Sequence, residues 1–547
     1  MKSPAPRFGF RTGDWPLRRR HARRQFRGWL RPHRRYPSRP PFRCTMKPTS
    51  LLLIALIVAA AGFAAQTKET ASRAPKKGNK RGDLAGNLEL LKQWVPPSEA
   101  ALSLYTAAYK ILSAAPGATF LDVGRDPEIQ RICRDHGIVH LGGPMLGALT
   151  ESSVQVWLRT LQPAAVEVRV TIAGAEKTFG PVSSTAATDL AAVVPVTGLQ
   201  PATRYSYRVL VDGQAVALPE HAAITTAPAS GPSGQVRISF GSCYHRWGLG
   251  NPRQAELMRR RGPAAFLAIG DIAVQDRNNH LGLHRADYLH RDFQPAWRGL
   301  VAALPVYAAW DDHDYFDNDK FGVPPGYTER DREGVWEVFR HSWNNPSYGL
   351  GDERRGVFLR TRIGPCDILM TDGRYFRTQP KQKDALLGEA QMQWLEAQLL
   401  SCRGPFIIMS SGTMWSDYVS NGKDSWGVWD PEGRERILRL IEKHRIGGVL
   451  LISGDRHGAR GFRLPRSSGF SFYEFEAASL GGRSGPPVTI AGAPQLYGIA
   501  DQYAFGEFTI DATRPDPTVE FRLMGEEGNT IYELTLTRSQ LTPPPAR

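Results

Sequence analysis

Five short clusters in this 547-residue chain carry side chains suited to metal or acid/base chemistry. They are Gly241-Ser242-Cys243, Gly270-Asp271, Asp311-Asp312-His313-Asp314, Asp372-Gly373-Arg374 and Ser453-Gly454-Asp455-Arg456-His457. The donors are mostly hard carboxylates and imidazoles, with one thiol. Asp317, Asn318 and Asp319 follow the third cluster and offer either second-site ligands or a polar loop. Cys243 taken alone would read as a small core residue; its neighbours make it a ligand candidate. No Cys₄ or Cys₂His₂ spacing exists, which argues against a closed structural zinc site. The chain contains no HExxH, GxSxG or GxxxxGK[ST], so zincin, α/β-hydrolase and P-loop chemistries are excluded. Carboxylates gathered from separate segments suit a two-metal hydrolytic site. There, two cations about 3.5–4 Å apart clamp the oxygens of an in-line displacement.

Such clusters need a scaffold that brings them together. Each follows a short apolar run: Val236–Phe240, Phe266–Ile269, Val306–Trp310, Ile368–Thr371 and Gly448–Ile452. With Phe406–Ser410, these read as strands. They alternate with helical stretches at Gln254–Arg261, Ala286–Ala303, Gly334–Trp343, Gly388–Ser401 and Gly433–His444, the pattern of a layered α/β domain. Ligands of open α/β sheets collect at the carboxyl ends of the strands, where all five clusters fall. From Phe470 onward a β texture returns and predicts a second sheet closing a sandwich. Upstream, Val154–Arg159, Val166–Ile172, Ala192–Val196, Tyr205–Val211 and Ala222–Thr226 are regularly spaced and β-branched, predicting a small antiparallel sandwich. Leu199–Tyr205 resembles the corner before a late strand of fibronectin-type domains. Ser98–Ala114 reads as a helix and Thr67–Asn87 as a polar linker. The predicted organisation is 1–65 Arg-rich extension and leader, 66–136 linker and helical segment, 137–230 fibronectin-like domain, and 235–547 the α/β domain.

The motifs GSC, GD, WDDHD, DGRYFR and SGDRH together resemble the alkaline phosphatase D (PhoD-like) branch of the calcineurin-like metallophosphoesterases. The resemblance spans roughly Gly142 to Asp511, including Gly142–Gly147 and the helix Leu387–Leu395. It implies a metallophosphoesterase-type β-sandwich flanked by helices, preceded by the fibronectin/Ig-like sandwich. It also implies hydrolysis of phosphoric mono- or diesters by a metal-bound hydroxide attacking in line. Carried over by position, Cys243 is a thiolate ligand and Asp271 bridges or binds a metal. Asp312 stands where simpler relatives have the Asn of GNH, and Asp455 and His457 complete the metal sphere. His313 protonates the leaving oxygen or stabilises the transition state, and Arg374 holds phosphate charge. Asp311, Asp314, Asn318 and Asp372 are candidate second-site or pocket residues. The family's GDxxY carries a Tyr that binds ferric iron; here that position is Val274. This argues against iron and for two or more divalent cations, Ca²⁺, Mn²⁺, Mg²⁺ or Zn²⁺, with Cys243 marking a softer site. Expected substrates are small-molecule, lipid or nucleotide phosphate esters. The alternative is a non-catalytic cell-surface binding protein on a degenerate scaffold.

The net charge of +16 is not spread over the chain. Residues 1–50 hold 15 Lys/Arg and one acid, Asp14, leaving 54 basic against 52 acidic residues elsewhere. A nearly neutral body argues against sequence-specific nucleic-acid binding. Leu51–Ala65 is an uncharged run shorter than the ~20 residues that span a bilayer. With Lys47 before it and small residues at its end, it reads as a secretory signal, with translation starting at Met46. Arg23-Arg24-Gln25-Phe26 lies too far upstream to be its twin-arginine motif. Export to a periplasmic, cell-surface or secreted location follows, with no membrane span in the mature chain. Oligomeric state is not readable. Outside Cys44, four cysteines remain. Export permits a bridge, and the adjacency of neighbouring strand starts predicts Cys366–Cys402.

Overall fold

The computed structural model describes residues 82–351, 355–419, 424–483 and 485–545. The Arg-rich extension, the leader and the first part of the expected linker lie outside the described residues. Among the described residues no helix is long and apolar enough to cross a membrane.

Two large sheets form the centre. The first runs in the order Val306–Ala309, Ala265–Ile269, Gln235–Gly241, Ala504–Asp511, Thr518–Gly525, Thr530–Thr537. Its first three strands are parallel, and the last three are added antiparallel. The second runs Leu359–Ile363, Cys366–Met370, Phe406–Ser410, Val449–Ser453, Ser471–Ala478, Gly458–Pro465, Gln495–Ile499. Cys366–Met370, Phe406–Ser410, Val449–Ser453 and Ser471–Ala478 are parallel. The late β segments therefore extend both sheets rather than forming one of them.

Side-chain alternation explains the layering. Leu267 and Ile269 point between the sheets with Ile238, Phe240, Ile368, Met370, Ile408, Leu450, Ile452, Phe475 and Phe508. Phe266 and Ala268 point the other way, against Ala255, Met258, Trp297 and Phe339 on the helices that cover that face. On the far side, Ile407, Met409, Val449 and Leu451 meet Leu395, Leu399, Ile437 and Ile441. Strands covered on both faces read as continuous apolar runs, which is why they were visible in the sequence. Each buried Leu, Ile or Phe contributes about 1.5–3 kcal/mol.

The upstream β domain pairs His140–Gly147, Ser153–Thr160 and Ala191–Thr197 in one sheet, and Ala175–Ser184, Ala164–Ile172, Tyr207–Val211 and Gln214–Ala215 in another. Tyr205 is buried and its hydroxyl accepts from the Gln200 N–H at 2.7 Å, which ties the turn before its strand. The domain is fastened to the α/β part through Trp157 Nε1 to His341 O (3.0 Å), Asn344 Nδ2 to Met145 O (2.9 Å) and Tyr207 Oη to Ala302 O (2.9 Å).

Three further expectations fail. The end of the presumed linker is helix Leu84–Lys92, started by the Asp83 side chain accepting from Gly86 N, with Leu91 in an apolar cluster. The single helix expected over Ala286–Ala303 is two, Leu281–Phe293 and Pro295–Val301, because Pro295 cannot continue a helix but suits its first position. Cys366 and Cys402 are free thiols. Cys366 opens its strand opposite Phe406, while Cys402 sits at the C-terminal cap of helix Gly388–Ser401.

Candidate metal centre

Strand Gln235–Gly241 delivers Cys243, Ala265–Ile269 delivers Asp271, and Val306–Ala309 delivers Asp311, Asp312 and His313. Because these strands are parallel neighbours, their ends share one rim. Val449–Ser453 brings Asp455 and His457 to the same rim from the second sheet. Glycines permit the approach. Gly270 has φ +104°, and a Cβ there would lie 2.6 Å from Asp311 Cβ. A Cβ on Gly454 would lie 2.5 Å from Ser242 Oγ. The backbone is held in left-handed conformations at Cys243 (φ 57°), His245 (43°), Asp271 (56°), Asp455 (74°) and His457 (41°). Such conformations cost non-glycine residues about 1–2 kcal/mol each and gather at functional sites.

Three ligand groups result, each with its donor atoms within 4.8 Å of one another: Cys243, His245 and His457; Asp271, Asp312 and His313; and Asp271, Asp311, Asp312 and Asp455. Asp271 belongs to two of them and also lies 3.7 Å from Cys243 Sγ and 3.9 Å from His245 Nε2. Cys243, Asp271, Asp312, Asp455 and His457, the ligands expected from the sequence, all fall within these groups. His245, two residues beyond Cys243, was not among the expected ligands.

Electrostatics fit cations. Burial, then neighbouring carboxylates, pushes the Asp271 and Asp455 carboxyls well above the usual range. Burial raises Asp311 to about 7, although Arg374 opposes it. Burial also opposes ionisation of Asp312, but Arg374, His313 and two backbone N–H groups hold its carboxyl well below the usual range. Burial keeps His245 and His457 neutral, the latter shifted down to about 3, which is the ligating form of imidazole. Asp271 Oδ1, Asp311 Oδ2, both ring nitrogens of His245 and Nδ1 of His457 are buried without a hydrogen-bond partner. Unpartnered buried polar atoms are expensive, about 1–3 kcal/mol each, and converging ones of this type are what cations satisfy.

The other candidates take different places. His313 Nδ1 is 2.5 Å from Asp276 Oδ1, and Asp312, Asp271 and Asp276 overcome burial to raise its pKa well above the usual value. Asp276 was not read from the sequence; it reaches in from a loop with no motif to mark it. Arg374 is buried, and both of its terminal nitrogens lack a hydrogen-bond partner. Its Nε donates to Asp311 Oδ1 at 2.5 Å, and a second nitrogen lies 3.0 Å from Asp424 Oδ2, fully buried. Asp424, itself bound by Arg377, was also missed as a site residue. Asp314 accepts from the Asp271 N–H at 2.5 Å and so shapes the turn that carries that ligand. Asp372 is likewise a fold residue: it accepts from Trp310 Nε1, Val357 N, Arg374 N and Tyr375 N. Asn318 is exposed; its backbone N–H donates to Asp276 Oδ1 at 3.1 Å and its side-chain amide to Asp319 Oδ2 at 2.7 Å. Val274 is fully buried in the core.

A two-sheet α/β sandwich whose rim gathers three groups of metal donors has the architecture of the metallophosphoesterases. Residues 268–521, a little under half of the chain, match the family described as PhoD-like phosphatase, which supports a metal-dependent phosphatase. Residues 139–229 match a domain of unknown function, DUF7800. The solved structure of PhoD is similar at 17% identity and a TM-score of 0.59, over 74% of this chain and 91% of that one. Purple acid phosphatase PPD1 from yellow lupin (Lupinus luteus) seeds is similar at 14% identity and a TM-score of 0.52, over 72% and 74%. At these identities the likeness speaks for the fold. No curated protein sequence matches the chain.

Proposed function

We propose that the chain is an exported hydrolase of phosphoric mono- or diesters that works by in-line displacement at phosphorus. The observation that carries this is the gathering of Cys243, Asp271, Asp312, Asp455 and His457 in ligand groups on one rim, with Asp271 in two of the groups and 3.7 Å from Cys243 in the third. Divalent cations held by these residues would acidify an attacking water and neutralise charge developing on the phosphoryl oxygens. The chain's own residues do the rest. Asp276 orients the His313 ring through Nδ1, which leaves Nε2 to hold a proton for the departing oxygen. Arg374 keeps the Asp311 carboxylate aimed by a charge-assisted bond. Asp314 fixes the Asp271 turn through its backbone N–H. Small-molecule, lipid or nucleotide esters all present the same phosphoryl group to this rim. Export rests on the Leu51–Ala65 run.

The test is phosphate release from aryl phosphate mono- and diesters with Ca²⁺, Mn²⁺, Mg²⁺ or Zn²⁺ supplied. Asp312→Ala and Asp455→Ala should each lose at least about 100-fold in rate, the scale on which disturbing a metal sphere is felt. Wild-type rates in both would defeat the assignment.

A further inference from the structure

We infer that the chain has a second small-molecule site, a cavity of about 390 Å³ that takes an amino-acid-type zwitterion, with the ligand's carboxylate on Arg298, its ammonium on Asp292 and its apolar side chain against Leu104, Ile138 and Phe293. None of the residues lining this cavity belongs to the three ligand groups of the metal rim.

The cavity lies where three parts of the fold meet. Helix Glu99–Ala114 and the residues just before it form one wall. The start of strand His140–Gly147 forms a second, and helices Leu281–Phe293 and Pro295–Val301 form the third. Small-molecule sites commonly occupy about 300–1,000 Å³ and are apolar apart from a few polar groups that orient the ligand. Three such groups are present. Asp292 is 4% exposed; its Oδ1 accepts from Arg291 Nε at 2.8 Å, whereas Oδ2 is buried without a partner. Gly142 keeps that oxygen uncovered, since a Cβ there would lie 2.3 Å from it. Arg298 lines the cavity from helix Pro295–Val301. Among the described residues its guanidinium makes no hydrogen bond or ion pair, and the Asp292 charge acts on it only from beyond contact distance. Burial, then the Arg298 charge, takes the pKa of the third group, His140, down to about 3, so its neutral ring offers one donor and one acceptor.

These groups set the ligand's chemistry. A buried carboxylate oxygen with no donor and a guanidinium with no acceptor are both costly until something fills the space they line. An anion alone would satisfy Arg298 but would set like charge beside Asp292. An amine alone would do the reverse beside Arg298. A molecule with both charges and an apolar body satisfies each group and the apolar wall together. The planar guanidinium fork suits a carboxylate, to which it can donate two parallel bonds. Two side chains kept only for folding would pair directly, as Arg277 and Asp287 do at 2.6 Å.

The experiment measures binding of L-leucine and L-phenylalanine to the purified chain by calorimetry. Isocaproate and isoamylamine, each carrying one of leucine's two charges, serve as comparisons. Two variants are tested. Arg298→Gln removes the cation at a half-buried position, and Ala101→Phe fills the cavity from helix Glu99–Ala114 while keeping every charge. The expected result is saturable binding of at least one of the two amino acids by the wild type. Both single-charge analogues and Arg298→Gln should bind at least about 10-fold more weakly, the scale of one lost charge-assisted hydrogen bond. Ala101→Phe should not bind, and both variants should hydrolyse phosphate esters at wild-type rates. Where Ala101→Phe fails to fold, Arg298→Gln decides. No saturable binding of either amino acid by the wild type overturns the inference. Isocaproate binding as tightly as leucine overturns it too, as does binding left unchanged in either folded variant, which would put the ligand elsewhere. Binding is read without any hydrolysis, so a chain that proves inactive yet binds leucine in this pattern loses the proposed function and keeps this site.

Discussion

At the scale of single residues, the pair His313–Asp276 separates roles that the sequence had merged. His313 was visible because it stands in a run of acids after a strand. Asp276 was invisible because nothing in a lone loop aspartate says which ring it will touch. Their 2.5 Å contact fixes Nδ1 and with it the direction of Nε2. An acid that protonates a leaving oxygen matters in proportion to how badly that oxygen needs a proton. Asp276→Asn should therefore slow hydrolysis of alkyl phosphates by about 10- to 100-fold, part of the 10²–10⁴ attached to a general acid. Nitrophenyl esters, whose leaving group departs as an anion, should be hardly affected. Rates across a series of leaving groups check this, and an equal drop along the series would assign Asp276 a purely structural part. Asp372 and Arg374 teach the converse. Both looked functional from their place after a strand, yet Asp372 accepts four hydrogen bonds that fix the fold, while Arg374 lies against two carboxylates with both terminal nitrogens left without a hydrogen-bond partner. Residue type at a strand end names candidates; only the tertiary partners decide between ligand, orienting group and turn.

At the scale of elements, the legible parts were those covered on both faces. Phe406–Ser410 and Gly388–Ser401 are found at the residues expected, since runs such as FIIMS leave no other reading. Leu359–Ile363 was missed: it is an edge strand with Arg360 and Arg362 half-buried, so its polarity hides it. Phe120–Arg125 and Pro127–His136 were missed because each is short and is held by its caps, Thr119 and Asp126, more than by periodicity. The turns after the strands matter most for function. Gly270 turns the chain with φ +104° while its Cα side faces Asp311. Gly270→Ala adds a left-handed penalty of about 1–2 kcal/mol and a contact 2.6 Å from Asp311 Cβ. Backbone and carboxylate must then separate, so both Asp271 and Asp311 move. The expected outcome is a lowered Tm together with loss of bound metal. Metal retained at wild-type affinity would show that the turn is looser than its geometry implies.

At the scale of the whole molecule, the carboxylate rim sets a conflict between folding and function that cations resolve. Asp271, Asp311, Asp312 and Asp455 are packed together by strands from two sheets whose cores hold them there. In the metal-free chain, burial raises Asp311 to about 7 and Asp314 to about 6, and burial with neighbouring acids raises Asp271 and Asp455 further from the usual range. A carboxyl whose folded pKa exceeds its unfolded value of about 4 favours folding fully at low pH. It loses that contribution as pH rises through the folded pKa. The window is therefore about pH 4 to 7 for Asp311 and about pH 4 to 6 for Asp314. Bound cations favour the ionised carboxylates and stabilise the fold by mass action, about 2.7 kcal/mol at a hundredfold excess over Kd. The chelated protein should thus melt higher near pH 5.5 than near pH 8, while the metal-loaded protein should gain most from its cations near pH 8, where proton competition is least. Melting curves at both pH values, with and without chelator, read this directly. If the chelated and loaded proteins show the same pH trend, the rim is not the element on which the fold's stability and its metals compete.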